Sequence, residues 1–220
     1  MTKEISAFYS HLSRFHVAVD CIIFTVEGEK LKVLMVRRDF EPEKGKWSLI
    51  GGFVSDGESV DDAAKRVLRS LTGLDNVFIR QLGAFGEVDR DPGARVVSVA
   101  YFALLNLRDV DDSVVSAHHA HWIDIDNLPE LGFDHKKMIG IALDVMRGKI
   151  LSGSLAFNML PELFTLTQLQ TLVETVISKK LDKRNFRKRI AYNPDIEKTG
   201  LIDKETSKRG AMLYRYTGTC

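Results

Sequence analysis

The stretch Gly51–Leu74, GGFVSDGESVDDAAKRVLRSLTGL, decides how the rest of the chain reads. The residues before it, Trp47-Ser48-Leu49-Ile50, are strand-like and run into the double glycine Gly51-Gly52. After a short polar loop, Val60, Ala64, Val67 and Leu71 recur at the spacing of one helical face, which predicts an amphipathic helix. Ser59, with Asp62 three residues on, is its N-cap candidate, and Gly73-Leu74 closes the segment. Glu58 follows Gly52 after five residues, and Arg66 follows Glu58 after seven.

This strand, loop and helix resemble the Nudix box, the signature of hydrolases that cleave nucleoside diphosphates linked to another group. In that family the helix carries Arg-Glu-Leu-x-Glu-Glu, whose carboxylates hold Mg2+ or Mn2+ against a pyrophosphate. Here the three glutamate positions fall on Val67, Ser70 and Leu71. At i, i+3 and i+4 they share one helix face. A hard divalent ion would need a cluster of oxygens there, and the face offers two aliphatic groups and one hydroxyl. Glu58 alone is a poor substitute, because metal-assisted phosphoryl chemistry needs several oxygen ligands. Ile50 is a second departure, standing where the family commonly has proline. The expectation is a retained fold with a lost metal site, hence no enzyme, no metal and no cofactor.

The whole chain has 220 residues, enough for one large domain or a medium domain with a small one. With 45% hydrophobic and 28% charged residues it reads as an ordinary globular, soluble protein. No apolar run reaches the length of a membrane span, and the first residues lack the apolar core of a signal peptide. Cys21 and Cys220 imply no disulfide framework, which suits a cytoplasmic protein. The net charge of +1 hides an asymmetry: residues 153–220 hold 12 Lys and Arg against 7 Asp and Glu, and the remainder 19 against 23. An acidic part joined to a basic part points to two jobs, with the boundary between Ile150 and Ser154, bracketed by Gly148 and Gly153.

Phe15–Phe24 and Leu31–Val36 flank the turn Glu27-Gly28-Glu29-Lys30 and predict a hairpin. Asp20 interrupts the first run, either aimed into a polar pocket or starting an exposed edge. Past the box, 77–88 and 96–107 are strand-like, His121–Asp124 is a short strand, and Asp134–Arg147 is a helix. The result is an α/β/α sandwich with a mixed sheet, and Asp134-His135 opening the last helix also looks Nudix-like. In a strand His119 and His121 would share one face and His118 the other, and no further ligand follows at zinc spacing. Glu87 and Asp89 alternate onto the face of Phe85, where they either line a ligand pocket or face solvent. Strand faces and loop positions give Asp20, Arg38, Trp47, Glu58, Phe85, Glu87 and Asp89 as the effector-binding candidates.

In the last third, Thr167-Gln168-Leu169-Gln170 fits a capping box. Leu166, Leu169, Val173, Val176 and Ile177 follow as a helical stripe. A second helix starts after Asp182, with Phe186 and Ile190 on one side and Arg184, Arg187 and Lys188 projecting away. Two helices in tight succession make a helix-turn-helix candidate. Ile196–Ile202 and Ala211–Tyr216 then pair as a hairpin with a basic tip, as in a winged helix. The DNA-binding candidates are Thr167, Gln168, Lys183, Arg184, Arg187, Lys188, Lys208 and Arg209, since arginines suit guanine edges and lysines suit phosphates.

Together the parts resemble the Nudix-related transcriptional regulators. The most specific stretches are Leu160-Pro-Glu-Leu-Phe-Thr-Leu-Thr-Gln-Leu-Gln and Leu181-Asp-Lys-Arg-Asn-Phe-Arg-Lys-Arg. The resemblance implies a Nudix-like effector-sensing domain over 1–150 and a winged helix over 151–220. It also implies a homodimer that binds double-stranded operator DNA and answers to a small molecule. Without the carboxylate cluster there is no evident hold for a metal and a pyrophosphate. The reading therefore favours a neutral pentose such as arabinose, and a role in sugar utilisation. ADP-ribose with a role in NAD metabolism is the alternative, because Arg37, Arg38 and Lys46 could grip phosphates without metal. The rival from another class is a hydrolase whose metal is held by Glu58, Glu87 and Asp89.

Overall fold

A computed structural model describes residues 9–73, 77–151, 154–204 and 210–218, apart from the side chain of Asp112. The predicted hairpin is present as β1 (His16–Glu27) and β2 (Lys30–Arg37), closed by the Glu27–Lys30 pair around Gly28 at φ 62°. β1 is the spine of a mixed sheet. Along one edge it runs parallel to β6 (Val96–Leu104), from His16 opposite Val96 to Phe24 opposite Leu104. Its other edge is shared: Ala18–Cys21 pair with β4 (Ile50–Phe53), and Phe24–Glu27 pair with β2. β3 (Trp47–Ser48) and β7 (Ala120–Asp124) both join β2, and β5 (Phe78–Phe85) joins β6.

The central strand is apolar on both faces because helices cover both. Val19, Cys21 and Ile23 pack in one buried cluster with Ala63, Ala64, Val67 and Leu68 of α1 (Val60–Thr72). Ile22 and Phe24 belong to the opposite cluster, with Met138, Ile139, Ala142 and Met146 of α3 (His135–Ile150). The short α2 (Asp112–Ala117) leads into β7. The α/β/α sandwich is therefore as expected. At the α1 start the Asp62 amide donates to the Ser59 hydroxyl at 3.1 Å, and Gly73 ends the helix in the left-handed region at φ 71°. Among the described residues no helix is long and apolar enough to cross a membrane.

The C-terminal unit comprises β8 (Phe164–Thr165), α4 (Leu166–Ile177), α5 (Lys183–Ala191), β9 (Ile196–Asp203) and β10 (Ala211–Tyr216). The three strands form a small sheet in the order β8-β10-β9, which makes a winged helix. The capping box is displaced from its expected frame. Thr165 caps α4 and Gln168 reciprocates, its side chain accepting from the Thr165 amide at 2.7 Å. Thr165-x-x-Gln168 and Thr167-x-x-Gln170 both fit the pattern. The pairing of Phe164–Thr165 with β10 ends the extended segment at Thr165 and selects the earlier frame.

The charge reversal after residue 152 is not a break in the core. Leu169, Leu172, Val173 and Val176 of α4 and Phe186 of α5 join the same buried cluster as Met146 and Ile150 of α3. Two arginines tie the helix ends across this contact. Arg147 of α3 donates to the Val176 carbonyl at 2.9 Å and the Ser178 hydroxyl at 3.3 Å, while Arg189 of α5 donates to the Leu151 carbonyl. Each satisfies a carbonyl that a helix C-terminus leaves unpaired, where cations are also favoured by the helix dipole.

Candidate effector cleft and nucleic-acid interface

A cleft of about 970 Å3 opens over the β4–α1 junction. The segment after β2 lines it with Arg37, Arg38 and Phe40, the β4–α1 region with Gly51, Gly52, Val67, Ser70 and Leu71, and Arg90, Phe133 and His135 complete the lining, Phe133 against Arg38. Gly51 has no alternative residue, because a Cβ there would lie 2.6 Å from the Val19 carbonyl and 2.5 Å from the Asp20 carboxylate.

A largely buried ionic network reaches the cleft lining. Arg90 is bidentate to Asp134, at 2.8 Å from Nη2 and 3.1 Å from Nε to Oδ1, and its Nη2 also reaches Asp20 Oδ2 at 3.3 Å. Ser98 donates to Asp20 at 2.6 Å, and His135 Nε2 stands 3.5 Å from the other Asp20 oxygen. The Leu49 amide donates to His135 Nδ1 at 3.0 Å, which places the imidazole proton on Nε2, toward Asp20. Burial works to raise the Asp20 pKa, but the hydrogen bonds from His135 and Ser98 and the charge of Arg90 outweigh it and hold the carboxyl below its ordinary value. Asp134 opens α3 without a side-chain cap because its carboxylate is committed to Arg90. The start of α3 is thus fastened to β1 through one arginine.

Of the seven effector candidates, Asp20 and Arg38 line the cleft and the other five do not. Trp47 sits against the α3-side core, edge-on to His121 at 5.6 Å. Phe85 is buried in that core, and β5 ends there. Glu87 and Asp89 are therefore exposed loop residues rather than members of a strand face. His118 and His119 line the cleft instead, since β7 begins only at Ala120 and His119 occupies a turn at φ 53°. Arg90 and Phe133 were missed, and the one legible signal nearby was Asp134-His135.

Glu58 is spent locally. Arg66 Nη2 donates to it at 2.6 Å, Arg66 Nε at 3.0 Å and the Ser55 amide at 2.7 Å, and Arg66 also reaches the Phe53 carbonyl at 3.1 Å. The pair pins the box loop to α1. Arg66 holds the Glu58 pKa down to about 2, well below its ordinary 4.5. A lowered carboxylate stabilises the fold above the unfolded pKa and loses that effect as pH falls through the folded one. Acid titration should therefore show a stability loss from about pH 4.5 to 2 that Glu58→Gln removes; identical pH profiles of the two proteins by urea unfolding would refute this role.

Among the described residues no three His, Cys, Asp or Glu side chains come together as a metal site. Val67 and Leu71 are buried, and Ser70 donates to the Val67 carbonyl of its own helix at 2.8 Å. Glu58, Glu87 and Asp89 do not converge with them. The donor set does not fit the divalent ion that the Nudix fold implies.

On the other unit, α5 presents Lys183, Arg184, Arg187 and Lys188 to solvent, with Phe186 buried and Ile190 half-buried beneath. Arg189 is exposed as well but differs in that its guanidinium is engaged by the Leu151 carbonyl. The turn before α5 is clipped by Glu174, which accepts from the Leu181 amide at 2.9 Å, and by Gln170, which donates to the Leu181 carbonyl at 3.2 Å. Thr167 and Gln168 line a groove between α4 and the β1–β2 turn, and the Gln168 carbonyl oxygen is occupied by the cap. Lys208 and Arg209 lie outside the described residues.

Residues 14–140 match the family model of the NUDIX domain, and residues 156–216 that of the NrtR DNA-binding winged helix domain. The ADPR responsive transcriptional repressor NtrR of Acinetobacter baylyi is 32% identical over 204 residues, 91% of this chain and 81% of that protein. The chain belongs to the NrtR family of Nudix-related transcriptional regulators. Among solved NrtR structures, that of Shewanella oneidensis NrtR complexed with a 27mer DNA superposes with a TM-score of 0.82 at 31% identity, covering 91% of this chain and 93% of that one. The NUDIX domain of the same protein, complexed with ADP ribose, gives a TM-score of 0.53 at 28% identity over 64% of this chain and 99% of that one. An ADP-ribose pyrophosphatase of Methanocaldococcus jannaschii is 38% identical over 136 residues, 60% of this chain and 74% of that enzyme.

Proposed function

We propose that this NrtR-family chain is an ADP-ribose-responsive repressor that binds its operator through α5 and its effector in the β4–α1 cleft. The carrying observation is the cleft itself, a pocket at the Nudix site whose metal-ligand positions are Val67, Ser70 and Leu71. It can hold a ligand without the carboxylates that would help destroy it. The ADP-ribose named with the Acinetobacter and Shewanella relatives supports the choice of effector. The pentose reading is set aside on physical grounds as well. A ligand site covers most of its ligand's surface; a single pentose would rattle in about 970 Å3 and would leave Arg37 and Arg38 facing no anion.

Identity with the archaeal pyrophosphatase favours a second reading, hydrolysis of ADP-ribose. The replaced box residues and the commitment of Glu58 to Arg66 oppose it.

α3 supplies a path between the two sites. Its first turn holds Asp134 and His135 at the cleft network, and its last turn exchanges arginine bonds with α4 and α5. In a homodimer, a shift of α3 would change the spacing of two recognition helices and so favour or disfavour a two-half-site operator. The test is linkage at one fixed salt concentration. ADP-ribose is expected to weaken operator binding by some factor, and operator DNA to weaken ADP-ribose binding by the same factor. Independent binding of the two would overturn the proposal.

A further inference from the structure

We propose that the cleft takes the diphosphate of its nucleotide ligand without any divalent cation, the negative charge being met by Arg38 with Arg37 beside it. This rests on the ADP-ribose reading and adds how the anion is held. It starts from the misfit already described, since a metal cannot be assembled on Val67, Ser70 and Leu71.

The cleft has four arginines, and their commitments differ. Arg66 is taken by Glu58, and Arg90 by Asp134 and Asp20. Arg37 and Arg38 have no carboxylate partner among the described residues; their Nε groups donate to main-chain carbonyls, Gly45 at 3.1 Å and Pro42 at 2.7 Å. Arg38 is also fixed by two rings, its Cζ lying 4.3 Å from the centroid of Phe40 and 4.9 Å from that of Phe133. Its terminal nitrogens make no hydrogen bond to the described residues. Three acids line the cleft nearby: Asp91 accepts from the Gly93 amide at 2.8 Å, Glu41 accepts from the Lys44 amide at 3.5 Å, and exposed Asp39, next to Arg38, pairs with neither arginine.

A guanidinium held this way forfeits little rotamer entropy when it binds, and its paired N–H donors match phosphate geometry. Lysine offers neither the planar stacking nor the fork. Arg38 thus does for the diphosphate what a metal does in a carboxylate-bearing Nudix site, and does it without activating water.

The experiment is calorimetric titration of the full chain and its R38A and R38K variants, in EDTA and again in Mg2+, with ADP-ribose and with inorganic pyrophosphate as probes. Wild-type affinity for ADP-ribose is expected to be the same in both buffers. R38A should weaken it roughly 10- to 100-fold, R38K should recover little, and circular dichroism should show both variants folded at the titration temperature. Binding that appears only with Mg2+, or R38A affinity equal to wild type, would overturn the inference while leaving the ADP-ribose reading intact. Pyrophosphate binding in EDTA that R38A abolishes, with no ADP-ribose binding, would support the inference and overturn that reading. Binding of neither probe would overturn both.

Discussion

Arg90→Met is expected to destabilise the protein by about 3–5 kcal/mol, because it leaves two buried carboxylates without their counter-ion. The Arg90 side chain is only 4% exposed, and those of Asp20 and Asp134 are 11% and 15% exposed. Methionine keeps much of the volume, so the loss is electrostatic and not a cavity. The pH dependence has a definite sign. Arg90 is one of the groups that hold the Asp20 carboxyl low, and removing it favours protonation. The deficit should therefore shrink as pH falls below the ordinary aspartate value of 3.8. Adding Asp134→Asn should return part of the stability, since a neutral amide is cheaper to bury unpaired than a carboxylate. Urea midpoints of the three proteins at neutral and acid pH check this. A loss below about 1 kcal/mol for Arg90→Met would mean that water reaches the network and that the pairs behave as surface ion pairs.

The same network shows what the sequence could and could not carry. The β1–β2 hairpin, α1 and the helix pair α4–α5 were legible because their signals are local: a turn at Gly28, the caps Ser59 and Asp182, apolar residues at helical spacing. Arg90 meets Asp134 and Asp20 from 44 and 70 residues away, and no local pattern marks such a contact. Phe85, Glu87 and Asp89 were assigned by counting alternate positions along a strand. β5 carries a register irregularity between Gln81 and Gly83 and stops at Phe85, so the parity was already lost. Trp47 lies outside the cleft lining, and its two-residue strand gives no alternation from which its face could be read. For α4, two overlapping Thr-x-x-Gln frames were equally good on paper. Only the pairing of Phe164 and Thr165 with β10 chose between them, and it commits the side-chain oxygen of Gln168 to the cap.

The α5 arginines are the other place where a large effect is expected. Arg184→Ala/Arg187→Ala should cost about 2–6 kcal/mol of operator affinity if each guanidinium reads a base edge, at about 1–3 kcal/mol apiece. The loss should fall mainly on the cognate site. Lys183→Ala/Lys188→Ala should instead weaken cognate and unrelated DNA alike and lower the salt slope by about 0.9 for each phosphate contact removed. Arg189 is the internal control. It shares the helix and the charge but is turned onto the Leu151 carbonyl at the end of α3, so Arg189→Ala should leave base discrimination alone and loosen the link between effector and operator. Titrating each variant against operator and scrambled duplexes at two salt concentrations separates the three behaviours. If the arginine pair lowers both duplexes equally, α5 holds phosphates and sequence is read elsewhere. If only Arg189→Ala changes discrimination, Arg189 reads the operator and its bond to Leu151 is not its role.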